Sequence, residues 1–266
     1  MPSGRGYTVT YDGVASTSLD GFMCHEVTRG LVAERRTNFD SVPGREGSFV
    51  FPEEPGMRVV ELDCSVIVDA VDPALRRAAV RKVAAWYNRP TLRKLLISDE
   101  PGVYDMAVPA DAPNVTEWRQ RGSFVLPFLC EPYSYETTLR YVTGTAGANP
   151  LVLNIENPGD VWTPFIVQIT ASGSSSSQSV AANGRTWTRA TAMTAGQHVT
   201  FNTRAGVITN AVNGDTDLQG LFSAANVSMA NASGRPPWLE PGTNALTING
   251  GHSGFTYHVW WRGRFS

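Results

Sequence analysis

The chain has 266 residues, 42% of them hydrophobic, with a formal net charge of -2 and a pI near 6.1. That length can bury a full core, and that charge gives no bulk attraction to nucleic acid or to an anionic membrane. Three cysteines, Cys24, Cys64 and Cys130, are far apart and odd in number; this argues against a disulfide framework and paired zinc ligands, and predicts buried thiols made in a reducing compartment.

Residues 1–13 hold no apolar core of signal-peptide type, and no run approaches the roughly 18 apolar residues of a spanning helix. A soluble protein, not exported by a cleaved signal, is expected. From Tyr7 to Tyr11 a short alternation ends in the hairpin-turn pair Asp12-Gly13. Phe22 to Arg36 supplies another strand or two without a clear register. Within it, Cys24-His25-Glu26 looks like a ligand cluster, but consecutive side chains of a strand face opposite ways, so Cys24 and His25 are not expected to share a site. Turn formers at Pro43-Gly44-Arg45-Glu46-Gly47 precede Ser48 to Phe51. Val60, Leu62, Cys64, Val66 and Val68 then fall on one face of a period-two strand, with Glu61, Asp63 and Asp69 on the other.

The sequence around Asp72 to Tyr104 is different in kind. Asp72 suits a helix cap and Pro73 a first helical position, and Leu75, Ala79, Val83, Trp86 and Tyr87 recur at helical spacing before Pro90. Arg76, Arg77, Arg81 and Lys82 are assigned to the opposite face. This amphipathic helix must lie on a sheet. Leu95-Leu96-Ile97, the turn Asp99-Glu100-Pro101-Gly102 and Val103 to Val108 read as a hairpin. Further on, Phe124, Leu126, Phe128 and Cys130 share one face of a strand while Val125 and Leu129 take the other. Such a strand is expected to be covered twice, by its own domain and by a helix or a neighbouring subunit.

Residues 1–140 hold 16 Lys+Arg and 19 Asp+Glu, leaving 6 and 5 of the totals of 22 and 24 for residues 141–266. Thr143 to Pro150 has the composition of a linker or long loop. Two domains, 1–140 and 141–266, are therefore expected. The second reads as strands with closely spaced turns: Trp162 to Thr170, Val199 to Thr203, Val207 to Val212, Leu246 to Ile248 and Phe255 to Arg262. This indicates a β-sandwich. Ser172 to Ser179 reads as a flexible loop.

Little points to catalysis. His198, His252 and His258 lack second ligands at useful spacing. The carboxylate pairs Glu53-Glu54 and Asp99-Glu100 sit at Pro-Gly turns, where solvated charge is the simpler reading. Asn213-Gly214-Asp215-Thr216-Asp217 lacks the bidentate Glu of an EF-hand. There is no phosphate-binding Gly loop and no Gly-x-Ser-x-Gly elbow. No catalytic, metal or cofactor residue is assigned. The tryptophans of the second half are a candidate ligand face, with Trp260, Trp238 and Trp187 named and core packing as the competing reading.

The order of these features resembles the distal tail proteins of long-tailed, non-contractile phages, often called minor tail proteins. The resemblance rests on Pro43 to Gly47, the helix, the hairpin, the strand Arg121 to Cys130 ending in Glu131-Pro132-Tyr133, Asn157-Pro158-Gly159-Asp160-Val161-Trp162-Thr163-Pro164, Pro241-Gly242-Thr243-Asn244, and the closing strand Tyr257 to Phe265. It implies a mainly β fold: an N-terminal β-sandwich with one helix and a hairpin, and a peripheral galectin-like C-terminal sandwich. It further implies a non-enzymatic virion protein assembled in the host cytoplasm. Its copies would form a homohexameric ring at the tail tip or baseplate, around the DNA channel. The implied partners are the tail tube protein, the tail-tip hub and receptor-binding or side-fibre proteins, with no sequence-specific nucleic acid and no membrane insertion. A ring needs two different surfaces on each subunit; Phe124, Leu126 and Phe128 on the doubly apolar strand, and Tyr104 and Met106 on the hairpin, are the candidates. The alternative function is a module binding cell-wall carbohydrate.

Overall fold

The structure is a computed structural model that describes residues 6–30, 33, 39–40, 49–50, 55–68, 73–117, 121–209, 232–234 and 236–266. The cap at Asp72, Asp69, the turn Pro43 to Gly47, Phe51, the pair Glu53-Glu54 and the stretch 210–217 lie outside the described residues. The chain divides into two compact units, Met1–Thr137 with Ser266, and Thr138–Phe265.

The first unit contains β1 (Val9–Tyr11), β2 (Val14–Ala15), β3 (Phe22–Arg29), β4 (Phe39–Asp40), β5 (Phe49–Val50), β6 (Arg58–Ile67), the helix α1 (Pro73–Tyr87), β7 (Arg93–Ile97), β8 (Val103–Pro109), β9 (Thr116–Glu117), β10 (Arg121–Cys130) and β11 (Ser134–Glu136). Its main sheet is antiparallel with the order β2-β1-β7-β8-β10-β6-β3. Just ahead of β1, Tyr7 bridges Cys24 of β3, its N–H donating to the Cys24 carbonyl at 2.8 Å. The sheet thereby closes on itself as a barrel, which removes a free edge. Glycine is required beside the seam: a Cβ on Gly6 would stand 2.3 Å from the Cys24 carbonyl oxygen.

The period-two pattern of β6 folds as expected, with Val60, Leu62, Cys64 and Val66 buried and Glu61 and Asp63 outside. On β10, Phe124, Leu126, Phe128 and Cys130 point into the same core. The helix starts at Pro73 and lays Ala79, Val83, Trp86 and Tyr87 onto this core. Tyr11 is its centre, 5.0 Å from Phe128 and 5.8 Å from Trp86 in edge-to-face contacts. Trp86 Nε1 donates to the Val14 carbonyl at 3.0 Å, and the Tyr87 hydroxyl to the Pro127 carbonyl at 2.5 Å, so each buried aromatic keeps a polar partner. Two helix expectations are corrected. Leu75 is 52% exposed and Arg76 is buried, because Arg76 lies two turns from Val83 in the middle of the covered arc while Leu75 lies at its margin. The hairpin is β7 and β8, paired antiparallel.

The second unit contains β12 (Arg140–Thr145), β13 (Leu151–Asn157), β14 (Phe165–Thr170), β15 (Gln178–Ala182), β16 (Arg185–Arg189), β17 (His198–Asn202), β18 (Val207–Thr209), β19 (Ala232–Gly234), β20 (Gly242–Asn249), β21 (Thr256–Trp261) and β22 (Arg264–Phe265). Two five-stranded antiparallel sheets, β12-β21-β14-β17-β18 and β13-β20-β15-β16-β19, make a β-sandwich. Val167, Ile169, Phe201 and Val259 from one sheet share a core with Val180, Trp187, Leu246 and Ile248 from the other. Along the last long strand burial alternates: Phe255, Tyr257, Val259 and Trp261 are buried.

Two composition-based expectations fail here. Thr143 to Thr145 belong to β12, paired residue by residue with β21, instead of forming a linker. Gly144 suits that strand because a Cβ there would meet the Tyr257 hydroxyl at 2.8 Å. Ser172 to Ser179 is pinned, not flexible in pattern. Ser175 exchanges both backbone hydrogen bonds with Met193, and buried Gln178 donates to Ser175 Oγ at 2.7 Å while accepting from Arg189 at 2.9 Å. Serine-rich composition could not reveal partners so distant in sequence.

Candidate functional site

The buried polar groups form structural clamps. Arg58 of β6 donates to Asp105 of β8 at 2.6 Å and to Ser134 of β11 at 2.7 Å, and Ser134 donates to Asp105 at 2.6 Å. The cluster ties three strands inside the first unit and brings no histidine or thiol to the Ser134 hydroxyl. In the second unit Asn157 donates to the carbonyls of Val161 and Leu239 and accepts from the Gly159 N–H, holding the loop that the Asn157-to-Pro164 motif forms. Asn244 does the same at Pro241-Gly242-Thr243-Asn244, donating to Glu240 and Gly242 carbonyls and accepting from Asn183. These turn motifs carry loop geometry and not chemistry.

The Cys24-His25-Glu26 run separates as its strand geometry requires. Cys24 is fully buried opposite Cys64, while exposed His25 reaches Ser65 Oγ at 2.6 Å from the outer side. Cys64 is held well above the usual thiol range by the hydrogen bond that its own S–H donates to Cys24 and by burial, and burial raises Cys130 to about 12. His198 bonds Thr170 Oγ1 at 2.7 Å and His252 lies against Gly173. No group of metal-ligating side chains is gathered among the described residues.

What remains is surface. Of the named interface candidates, Phe124, Leu126 and Phe128 are 5% exposed or less and belong to the subunit's own core, and Tyr104 stacks on Tyr135 at 5.7 Å. Met106 is half-buried on β8. The accessible side of β10 and β6 is the other one. There Val125 and Val59 are each 45% exposed, and Val125 is in register with Asp63, which is in register with Glu26. The alternation of β6 and β10 contained this face; attention to the larger aromatic side chains hid it. On the opposite side of β10, a groove of about 760 Å³ runs between α1 and residues 109–115. Its walls are mainly Val80, Ala84, Ala85, Pro109, Pro113 and Val115, with Asp111 the carboxylate among them.

The tryptophans divide three ways. Trp187 is core, 3% exposed. Trp238 lies 5.5 Å from Trp162 with the Arg185 guanidinium 3.2 Å above its ring, so one of its faces is already covered. Trp260 is on the outer face of its sheet, stacked on His258 at 5.5 Å and in register with Tyr141, which is 68% exposed. Tyr141 was not singled out from sequence, although it shares that register.

A closed barrel with one α-helix among the described residues, and a β-sandwich, make a mainly β chain of two units. Residues 25–130 match the family model of the phage tail protein RIFT-related domain. The crystal structure of the Dit protein of phage SPP1, described as a paradigm of the hub adsorption apparatus in phages infecting Gram-positive hosts, is similar with a TM-score of 0.71 at 15% identity. The match covers 98% of this chain and 100% of that one. A chain of the phage p2 baseplate in its activated conformation with strontium gives a TM-score of 0.41 at 10% identity over 97% of this chain and 98% of that one. No curated protein matches the sequence. The resemblance to distal tail proteins and the mainly β fold class are borne out: residues 25–130 match the phage tail domain, and the chain has a Dit-like fold.

Proposed function

We propose that this protein is a structural, non-catalytic component of a phage tail tip. Its first unit, 1–140, assembles six copies into a ring around the DNA channel, between the tail tube and the hub with its receptor-binding proteins; 141–266 is an attachment sandwich. The observation that carries this reading is the tail-protein domain at 25–130, built as a barrel with two chemically different outer faces. A ring of identical copies needs two such faces. The near-neutral to acidic sequence supports passage of DNA, since a strongly basic lumen would retain the phosphate backbone. Native mass spectrometry of the full chain, together with imaging of purified tails, tests it: a sixfold ring at the tip is expected. Monomers in solution combined with no ring in virions would refute it.

A second reading is favoured by one observation, exposed Tyr141 beside half-buried Trp260 and His258 on a sheet face that also carries Gln168, Thr143 and buried Ile166. Aromatic faces flanked by hydrogen-bonding side chains suit sugar rings. The full chain would then bind host cell-wall polysaccharide, and Trp260→Ala would abolish retention. No retention on any wall fraction would remove this reading.

A further inference from the structure

This inference rests on the ring reading and names the two surfaces that would meet. One is the outer face of β3, β6 and β10. Glu26 and Asp63 are directly opposite each other on adjacent strands, and Glu61 is two residues along on the same face. None of the three has a cationic partner among the described residues. Like charges directly opposite in a sheet repel, so the isolated subunit carries a local conflict that a cation from outside would relieve. Beside the carboxylates, Val59 and Val125 form an exposed apolar strip, with Leu129 in register with Val59.

The second surface is on the other side of β10. The apolar groove is flanked by α1, whose exposed side carries Arg77 and Arg81. Each is three residues ahead of a groove residue, Val80 and Ala84, so the guanidinium groups border the groove on the helix surface. Arg81 has no ion-pair partner among the described residues, whereas Lys82 is already held by Asp20 at 2.5 Å. The first surface is acidic with exposed valines; the second is an apolar groove with a basic border.

We propose that the α1 groove of one copy receives the β3-β6-β10 outer face of the next. Val59 and Val125 fill the groove, and Arg81, with Arg77, meets the Glu26, Glu61 and Asp63 carboxylates. Because the two surfaces are on opposite sides of one subunit, the contact is head to tail, the type that closes into a ring. The occupant is a second copy, selected by charge complementarity between surfaces of the same chain.

The test uses the full chain and four proteins: wild type, Arg81→Glu, Asp63→Arg, and the double reversal. Oligomer mass and association constant are read by native mass spectrometry and sedimentation, with circular dichroism confirming the fold. Each single reversal should weaken assembly about tenfold or more, and the double should restore it. Added salt should weaken the wild-type assembly. Should a substitution at Asp63 disturb β6, the milder Arg81→Ala still carries the test, with a smaller loss in the same direction. Rings that form equally well in wild type and in both single reversals would overturn the assigned surfaces while leaving the ring intact. A wild-type chain that makes no ring, alone or in tails, would overturn the ring reading and this one together.

Discussion

Arg58 and Asp105 form an ion pair at 2.6 Å with side chains only 8% and 11% exposed, and Ser134 and the Glu131 carbonyl complete the hydrogen bonding around the guanidinium. Removing one partner leaves the other charge buried and uncompensated. Asp105→Ala should therefore destabilise the first unit by about 3–5 kcal/mol. Replacing both residues by apolar side chains of similar volume should cost much less. Urea denaturation of the full-length variants, followed in the transition that reports the first unit, measures the difference.

Arg29 grips Asp99 through two bonds of 2.6 and 2.9 Å, joining β3 to the β7–β8 turn. The hydrogen bond from Arg29 holds the Asp99 carboxyl below its ordinary value of 3.8. The stabilisation is thus complete above that value and is lost as pH falls through the lower, folded-state pKa. Both side chains are 31% exposed, so solvent screening limits the contribution to about 1 kcal/mol or less. Arg29→Ala should remove this share of acid sensitivity and return the Asp99 pKa toward 3.8, which carboxylate NMR titration reads directly.

At the alkaline end Tyr11 contributes together with Tyr87 and Cys130, which burial also raises to about 12. Burial, reinforced by Asp12, raises the Tyr11 hydroxyl from 10.0 to about 12. For an acid with a raised folded pKa, stability is undiminished below the unfolded value of 10 and falls as pH rises toward 12. Thermal melts should show a decline in this interval. Tyr11→Phe should lessen it, leaving the share of Tyr87 and Cys130, and because the hydroxyl's own bond to the Ala107 carbonyl is long at 3.3 Å, the loss at neutral pH should be no more than about 1 kcal/mol.

All three cysteines are free and fully buried, and burial or a sulfur neighbour raises Cys64 and Cys130. Cys64 lowers the Cys24 thiol by its hydrogen bond, but a thiol with no exposed surface is out of a reagent's reach whatever its charge. An aromatic disulfide reagent should therefore label none of them in the native chain at neutral pH and all three in denaturant. Rapid native labelling of Cys130 would contradict its position.

The amino-acid pattern revealed what depends on near neighbours. Val60, Leu62, Cys64 and Val66, the hairpin after the helix, and the inward set Phe255, Tyr257, Val259 and Trp261 all follow from two-residue alternation and turn chemistry. It misled where residue type outweighed geometry: Leu75 was placed inward and Arg76 outward, although the helical angle puts Arg76 in the covered arc. It was silent where partners are remote. The Tyr7–Cys24 seam, the Ser175–Met193 bridge and the strand pairing of Thr143 to Thr145 are long-range agreements that composition does not encode. The interaction surfaces were half legible. Alternation puts Asp63 on the outer face of β6 and Val125 on the second face of β10, but only the register between β3, β6 and β10 shows that Glu26, Asp63 and Val125 form one row.

The seam at Tyr7 also has a kinetic side. The segment from Tyr7 through β1 has its partners in Cys24 and, through Val9, in Ile97. An early segment must therefore wait, unpaired on one edge, until the hairpin has been synthesised. Loop closure over such a span is slow compared with local pairing. The nascent first unit should thus pass through an open, sticky stage that lasts until the hairpin has emerged, and chaperone demand should peak there, well before any copy is ready to meet another.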